Sequence, residues 1–157
     1  PGLGAVSGNT DFTTEGILDT TTTLGGAEAG AFDQAITKTD PAMVMMSLAT
    51  YQSIDPNNPA VFSSTIIDGH IRNALKYTGV VISDSMSAEA LSSYDVSQLG
   101  VKLVEAGGDM SCIGQTDYVK PIVDGLNERA KSDPAFASKV TAAATRVMAL
   151  KIKMGLA

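Results

Sequence analysis

One acidic side chain, Asp84, follows a short run of apolar and mostly β-branched residues at positions 79–83. Such a run predicts a buried strand, and a carboxylate at its carboxyl end could act as a nucleophile or bind a metal ion. The same residue, or Ser85 after it, could instead cap a helix that begins near Met86. The local sequence leaves catalysis and helix capping equally open.

A long segment without apolar periodicity, residues 1–24, precedes this region and is rich in Gly, Thr, Ser and Asp. Long ordered loops in compact domains usually carry function, so we expect a functional loop here.

The remaining reactive side chains are isolated. His70, the sole histidine, falls inside a predicted helix, where a structural role is expected. Cys112, the sole cysteine, lies in an apolar stretch that predicts a buried, unreactive thiol.

Three short apolar runs, at 42–47, 79–84 and 109–114, predict strands that are buried on both faces. Helices are predicted at 26–38, from Ser63 or Ser64 to Leu75, around 86–92, and at 97–106, 118–131 and 135–154. This alternation predicts a parallel sheet covered by helices, and the polar residues that follow each strand are typical of a (β/α)8 barrel. The predicted fold class is therefore α/β, the C-terminal part of a TIM-type barrel with about three strands.

The composition restricts the possible partners. Apolar residues make up 44% and charged residues 18% of the chain, which is typical of a globular domain. A net charge of −6 argues against a nucleic-acid partner, because no basic patch is available to neutralise phosphates. No apolar run approaches the roughly 20 residues that span a bilayer. We find no metal-ligand spacing and no phosphate-binding loop, so no cofactor is expected.

Six segments of the chain, taken together, resemble glycoside hydrolase family 3. Residues 79–86 (GVVISDSM) are similar to the nucleophile motif of that family, usually G-V-V-I-S-D-D-M. Residues 1–4, 43–47, 59–63, 106–110 and 146–151 resemble further family segments, and all of them occur in family order over essentially the whole chain. The resemblance implies a retaining β-N-acetylglucosaminidase of the type that trims cell-wall sugars. It also implies that Asp84 is the nucleophile, and that the protein is extracellular or in the cell envelope, with a cytoplasmic location left open.

The loop at 1–24 is where the sequence departs from the family pattern. Better-known members carry P-G-H-G-D-T-x-x-D-S-H, in which the last Asp and His transfer the proton. Aligned with that motif, Asp11 falls at the histidine and Asn9 at the aspartate, as in the variant P-G-L-G-x-V-x-G-N-T-D of actinobacterial envelope-type members. The resemblance thus makes Asp11 the candidate acid/base, with Asn9 to orient it and Glu15 and Asp19 as substitutes. Alternatively, Asp11 only stabilises an Asx-turn.

Substrate contacts are harder to assign from this chain. The candidates for substrate binding are Asn9 in the loop and Met46 and Tyr51 near the end of the first predicted strand. The methionines at 43, 45 and 46 are nevertheless more typical of core filling. The family's K-H-F lysine and histidine, which hold the sugar, would precede Pro1. We therefore expect the chain to need the N-terminal portion of the same barrel, as a separate chain or a missing segment, and to be inactive alone. Phosphorolysis on the same scaffold, or a non-catalytic glycan-binding module, stay open as alternatives.

Overall fold

The computed structural model describes all residues, Pro1–Ala157. The strands are β1 (Leu18–Asp19), β2 (Met43–Met46), β3 (Thr50–Tyr51), β4 (Val80–Ser85) and β5 (Met110–Cys112), and the α-helices are α1 (Ala27–Thr39), α2 (Val96–Glu105), α3 (Val119–Ser132) and α4 (Pro134–Lys153). A π-helix covers Thr65–Ala74, and single 3-10 turns cover Ala60–Phe62, Glu89–Leu91 and Thr116–Tyr118.

Strands β2, β4 and β5 form a three-stranded parallel sheet in the order β2–β4–β5, and β1 pairs with β3 in a separate parallel ribbon. Met43 pairs with Val80 and Met46 with Ser83, while the β4–β5 pairing shifts register between Ile82 and Ser85. The β-branched residues of β4 suit its central position, because such side chains pack well on a pleated surface. The α/β class predicted for part of a TIM-type barrel agrees with this arrangement.

The two faces of the sheet differ in cover. Val44, Met46 and Val81 point into the main core, packed against the helices. Met43 and Met45, on the opposite face, are 41% and 56% exposed. Successive side chains of a strand point to opposite faces, so a run that is apolar throughout necessarily places half of its side chains on the open side. Of the three β2 methionines that were expected to fill the core, only Met46 does so within this chain.

A buried ionic cluster, here called the amino-end clamp (Arg72, Asp109 and Arg146), fixes the start of the sheet. The Asp109 side chain has no exposed surface and accepts hydrogen bonds from both guanidinium groups. It also accepts one from the Val81 amide at 2.8 Å, and Arg72 donates to the Gly79 carbonyl at 2.6 Å. The clamp therefore ties the π-helix and α4 to the first residues of β4 and β5.

Two sequence expectations about local structure are wrong. The helix expected around 86–92 is only the 3-10 turn at Glu89–Leu91, because the amide of Met86 donates to the carbonyl of Cys112 on the neighbouring strand. Cys112 is exposed rather than buried, since it ends the edge strand β5. The other predicted helices form within a few residues of the expected bounds, and Asp95 and Asp133 cap α2 and α4 through their side chains.

Candidate active site

Asp84 is the next-to-last residue of the central strand β4. By alternation along the strand it shares a face with Ile82, which pairs with the exposed Met45, so its side chain lies on the open face of the sheet. The side chain is only partly buried, and Oδ1 accepts one hydrogen bond, from the Ser85 amide at 2.7 Å. The helix-cap alternative is wrong, since no helix starts near Met86 and the 3-10 turn that follows has no side-chain cap.

The chain around Asp84 is held firmly by the neighbouring strand. The hydroxyl of Ser83, which has no exposed surface, accepts a hydrogen bond from the Cys112 amide at 2.9 Å. The Met86 amide donates to the Cys112 carbonyl at 2.9 Å. Residues on both sides of Asp84 are thus fixed, whereas its carboxylate keeps free lone pairs. A carboxylate with a fixed backbone and open lone pairs is suited to react with a ligand.

Asp19 organises the loop at 1–24 from its buried position in β1. Its carboxylate accepts hydrogen bonds from the amides of Ala5, Thr21 and Thr22 at 2.6–2.8 Å and from the Thr22 hydroxyl at 2.6 Å. Burial alone would raise the pKa of Asp19, but these donors outweigh it and hold the pKa well below its usual range. A proton donor needs a raised pKa, so Asp19 is suited to holding the loop rather than to giving up a proton.

Tyr51 reinforces the base of the loop. It pairs with Asp19 between β3 and β1, and its hydroxyl donates to the Gly2 carbonyl at 2.6 Å. Gly4, at φ +87°, lies so close that a Cβ there would come within 3.1 Å of the Tyr51 ring. Tyr51 is only 5% exposed and Met46 not at all. Both side chains thus present almost no surface in this chain, and the substrate contacts expected of Tyr51 and Met46 stay a prediction.

The tip of the loop carries Asp11 and Asn9. The Asn9 side chain accepts a hydrogen bond from the Asp11 amide at 2.9 Å, so Asn9 rather than Asp11 makes the Asx-turn. The Asp11 carboxylate is exposed and has no hydrogen-bond partner in the protein. Glu15, also exposed, donates its own amide to Thr13. The side chain of Asn9 therefore makes the Asx-turn that was considered for Asp11, and the Asp11 carboxylate stays available.

Two backbone hydrogen bonds, here called the loop latch, join this tip to the segment that follows Asp84. The Glu89 amide donates to the Asp11 carbonyl at 3.2 Å, and the Ala90 amide donates to the Thr10 carbonyl at 3.0 Å. Met86 is tied to the end of β5 through the Cys112 carbonyl, and only about 11 Å of extended chain can separate Met86 from Glu89, which is three residues later. The latch therefore brings Asp11 to the same end of the sheet as Asp84. Sequence reasoning missed the latch, because main-chain contacts leave no trace in residue types.

The other chemistry-bearing residues lie elsewhere. His70 Nε2 lies 2.8 Å from Asp33 Oδ1 and joins the π-helix to α1, which is a structural role. No group of three His, Cys, Asp or Glu side chains is arranged to hold a metal ion. No helix combines the length and apolar character needed to cross a membrane. The carboxyl end of the sheet is thus where an accessible carboxylate, Asp84, and a second free one, Asp11, are brought to the same side.

Comparison with known proteins identifies relatives over nearly the whole chain. The family description "Glycosyl hydrolase family 3 N terminal domain" matches residues 1–150. A curated protein from Arthroderma benhamiae, named an uncharacterized secreted glycosyl hydrolase, is 32% identical over 117 residues, which is 70% of this chain and 32% of that protein.

Solved structures show the same likeness. A β-N-acetylhexosaminidase from Beutenbergia cavernae is 35% identical with a TM-score of 0.85, over 94% of this chain and 44% of that one. A family 3 β-N-acetylglucosaminidase from Paenibacillus is 27% identical with a TM-score of 0.78, over 88% of this chain and 27% of that one. The chain thus spans less than half the length of each of these three relatives.

Proposed function

The chain belongs to glycosyl hydrolase family 3, and from that premise we propose that it carries the nucleophile and the acid/base loop of a retaining β-N-acetylglucosaminidase. The observation that supports this most is Asp84: a partly exposed carboxylate at the carboxyl end of a rigidly held central strand, with one hydrogen bond and no partner cation. Barrel enzymes place their catalytic groups at this position. The substrate class is taken from two relatives named as N-acetylhexosaminidase and N-acetylglucosaminidase.

The proposed reaction has two displacements. The Asp84 carboxylate attacks the anomeric carbon of a terminal N-acetylglucosamine, while the carboxylic acid of Asp11 gives its proton to the departing glycosidic oxygen. The bond between sugar and Asp84 is then broken by water, which loses a proton to Asp11, so both residues return to their starting states. Asn9 contributes by fixing the main chain of Asp11 through the 2.9 Å hydrogen bond.

We also propose that residues 1–157 are the C-terminal portion of one barrel, with residues 1–24 as an active-site loop. The open face of the sheet, with Met43 and Met45 exposed, and the unpaired outer edges of β2 and β5 support this proposal. The remaining strands would cover that face and supply the other half of the sugar site. The chain together with that N-terminal portion is called the complete barrel below.

The cellular setting follows only from relatives. The Arthroderma benhamiae protein is named as secreted, which supports an extracellular or cell-envelope location and, with it, cell-wall fragments as the saccharide. Both points are tested with cells that produce the complete barrel. The culture medium is assayed for release of N-acetylglucosamine from peptidoglycan fragments. Release confined to the cell interior would contradict them.

A trapping experiment tests the central role of Asp84. The complete barrel is incubated with a fluorinated N-acetylglucosaminyl fluoride, which slows the second displacement, and digested for mass spectrometry. We expect one added sugar mass on the peptide that contains Asp84, and none in the Asp84→Asn variant. Turnover with the label on a different peptide would reject Asp84 as nucleophile. Binding without any turnover would indicate a glycan-binding module, and a phosphate-dependent sugar phosphate product would indicate phosphorolysis.

A further inference from the structure

Phe12 is the most exposed of the large apolar side chains, at 81%. The residues on either side of it, 9–11 and 13–15, are all polar, and the other three phenylalanines are far less exposed. A single exposed aromatic side chain is common on protein surfaces, so exposure alone assigns no role. Its place in the structure is what distinguishes Phe12.

The backbone holds Phe12 in a defined position. Its amide donates to the Asn9 carbonyl at 3.0 Å, and the amide of Thr13 donates to the same carbonyl at 3.1 Å. Directly before it, the loop latch fixes Thr10 and Asp11 against the segment after Asp84. The ring therefore extends from an ordered turn. Binding of a ligand to it would cost little conformational entropy of the backbone.

Resting on the function proposed above, we infer that Phe12 is the platform on which the leaving-group sugar packs. The acid/base group must reach the glycosidic oxygen, while Asp84 attacks the sugar on the other side of the bond that breaks. The residue next to Asp11 therefore lies near the sugar that departs, and further from the sugar that becomes attached to Asp84. The C–H groups on the face of a pyranose ring are apolar, and a large exposed aromatic surface suits them.

Two substrates separate this role from others in the complete barrel. One is the β-1,4-linked disaccharide of N-acetylglucosamine, and the other is β-N-acetylglucosaminyl fluoride, whose leaving group has no ring. We expect Phe12→Ala to lower kcat/KM for the disaccharide about 10-fold, as the loss of one aromatic contact would do, and to leave the fluoride within about twofold of wild type. Phe12→Tyr keeps the ring and should restore the disaccharide rate.

The matched control is Ile152→Ala, which removes another exposed apolar side chain (62%) from α4, outside the active-site loop, and should change neither rate. An equal fall for both substrates with Phe12→Ala would indicate a packing role and overturn the inference, as would no fall for either. If the wild-type barrel turns over neither substrate, the proposed function fails, and calorimetric binding of the disaccharide decides separately for Phe12. Binding about 10-fold weaker in Phe12→Ala would retain the platform, whereas equal affinity or no binding to either protein would overturn it.

Discussion

The carboxylates at the two ends of the three-stranded sheet have opposite surroundings. At the amino end, Asp109 has no exposed side-chain surface and accepts hydrogen bonds from Arg72, Arg146 and the Val81 amide. At the carboxyl end, three residues further along β4, Asp84 is partly exposed and accepts only one hydrogen bond, from Ser85.

The number of hydrogen bonds that a carboxylate accepts distinguishes a structural carboxylate from one that is free to react. Each oxygen of Asp109 accepts a hydrogen bond from a guanidinium group, so this carboxylate holds helices and strands together. The free lone pairs of Asp84 can instead form a bond to a substrate. The loop repeats this division, since buried Asp19 accepts several hydrogen bonds while the exposed Asp11 carboxylate accepts none. The comparison predicts that the four residues respond differently to the same Asp→Asn substitution.

The largest effect is expected at Asp84. In the complete barrel, Asp84→Asn removes the charge that attacks the sugar, so turnover of an N-acetylglucosaminide should fall about 10⁴-fold or more. The free energy of unfolding should stay unchanged, because the Asp84 side chain makes only one hydrogen bond. Steady-state kinetics and urea unfolding measure the two quantities. Asp117→Asn, at an exposed carboxylate, is the control for the loss of one negative charge. Turnover reduced by less than about 10-fold would break the comparison.

The next effect is a loss of stability at Asp109. Asp109→Asn leaves two guanidinium groups without their counter-charge, which should lower the free energy of unfolding by about 3–5 kcal/mol. Asp124→Asn removes an exposed carboxylate that pairs with Lys120, and it should cost far less, because water screens a pair on the surface. Urea unfolding of both variants measures the difference. Equal losses would mean that the amino-end clamp contributes no more than a surface pair.

Substitution of Asp11 should lower mainly the turnover of substrates that have poor leaving groups. Asp11→Asn should lower turnover of an unactivated disaccharide about 10²-fold, because a sugar oxygen leaves slowly without a proton. An aryl glycoside with an acidic phenol needs less protonation and should be affected less. Glu15→Gln, at another exposed carboxylate of the loop, should leave both rates unchanged. Full turnover of the disaccharide by Asp11→Asn would remove Asp11 from the mechanism.

The smallest effect is expected at Asp19, and it depends on pH. The folded-state pKa of Asp19 is depressed, so its contribution to stability is present above the unfolded pKa of about 3.9 and is lost as pH falls toward the folded value. Asp19→Asn should therefore lower the free energy of unfolding by about 1–3 kcal/mol at pH 6. The gap between variant and wild type should narrow below about pH 4. Glu15→Gln is the control, and a gap independent of pH would assign the loss to shape rather than charge.

Some of this structure could be predicted from the sequence because its causes are local. The β-branched residues of β4 and the periodicity of α4 depend on neighbours a few positions away. The place of Asp84 at a strand end is local for the same reason. Family membership was also predictable, since the resembling segments stand in order along the chain, and the family match over residues 1–150 confirms it.

The order of the main strands and helices, the family and the position of Asp84 at the end of β4 can therefore be inferred from the sequence alone. Which carboxylates have all their oxygens hydrogen-bonded, and which stay free, depends on the folded chain. Asp109 meets Arg72 and Arg146, each 37 residues away, and Asp11 reaches the end of β4 through the Glu89 amide. The exposure of Met43, Met45 and Cys112 depends likewise on what covers each face of the sheet. Contacts between distant residues form only when the chain packs, so no local pattern encodes them.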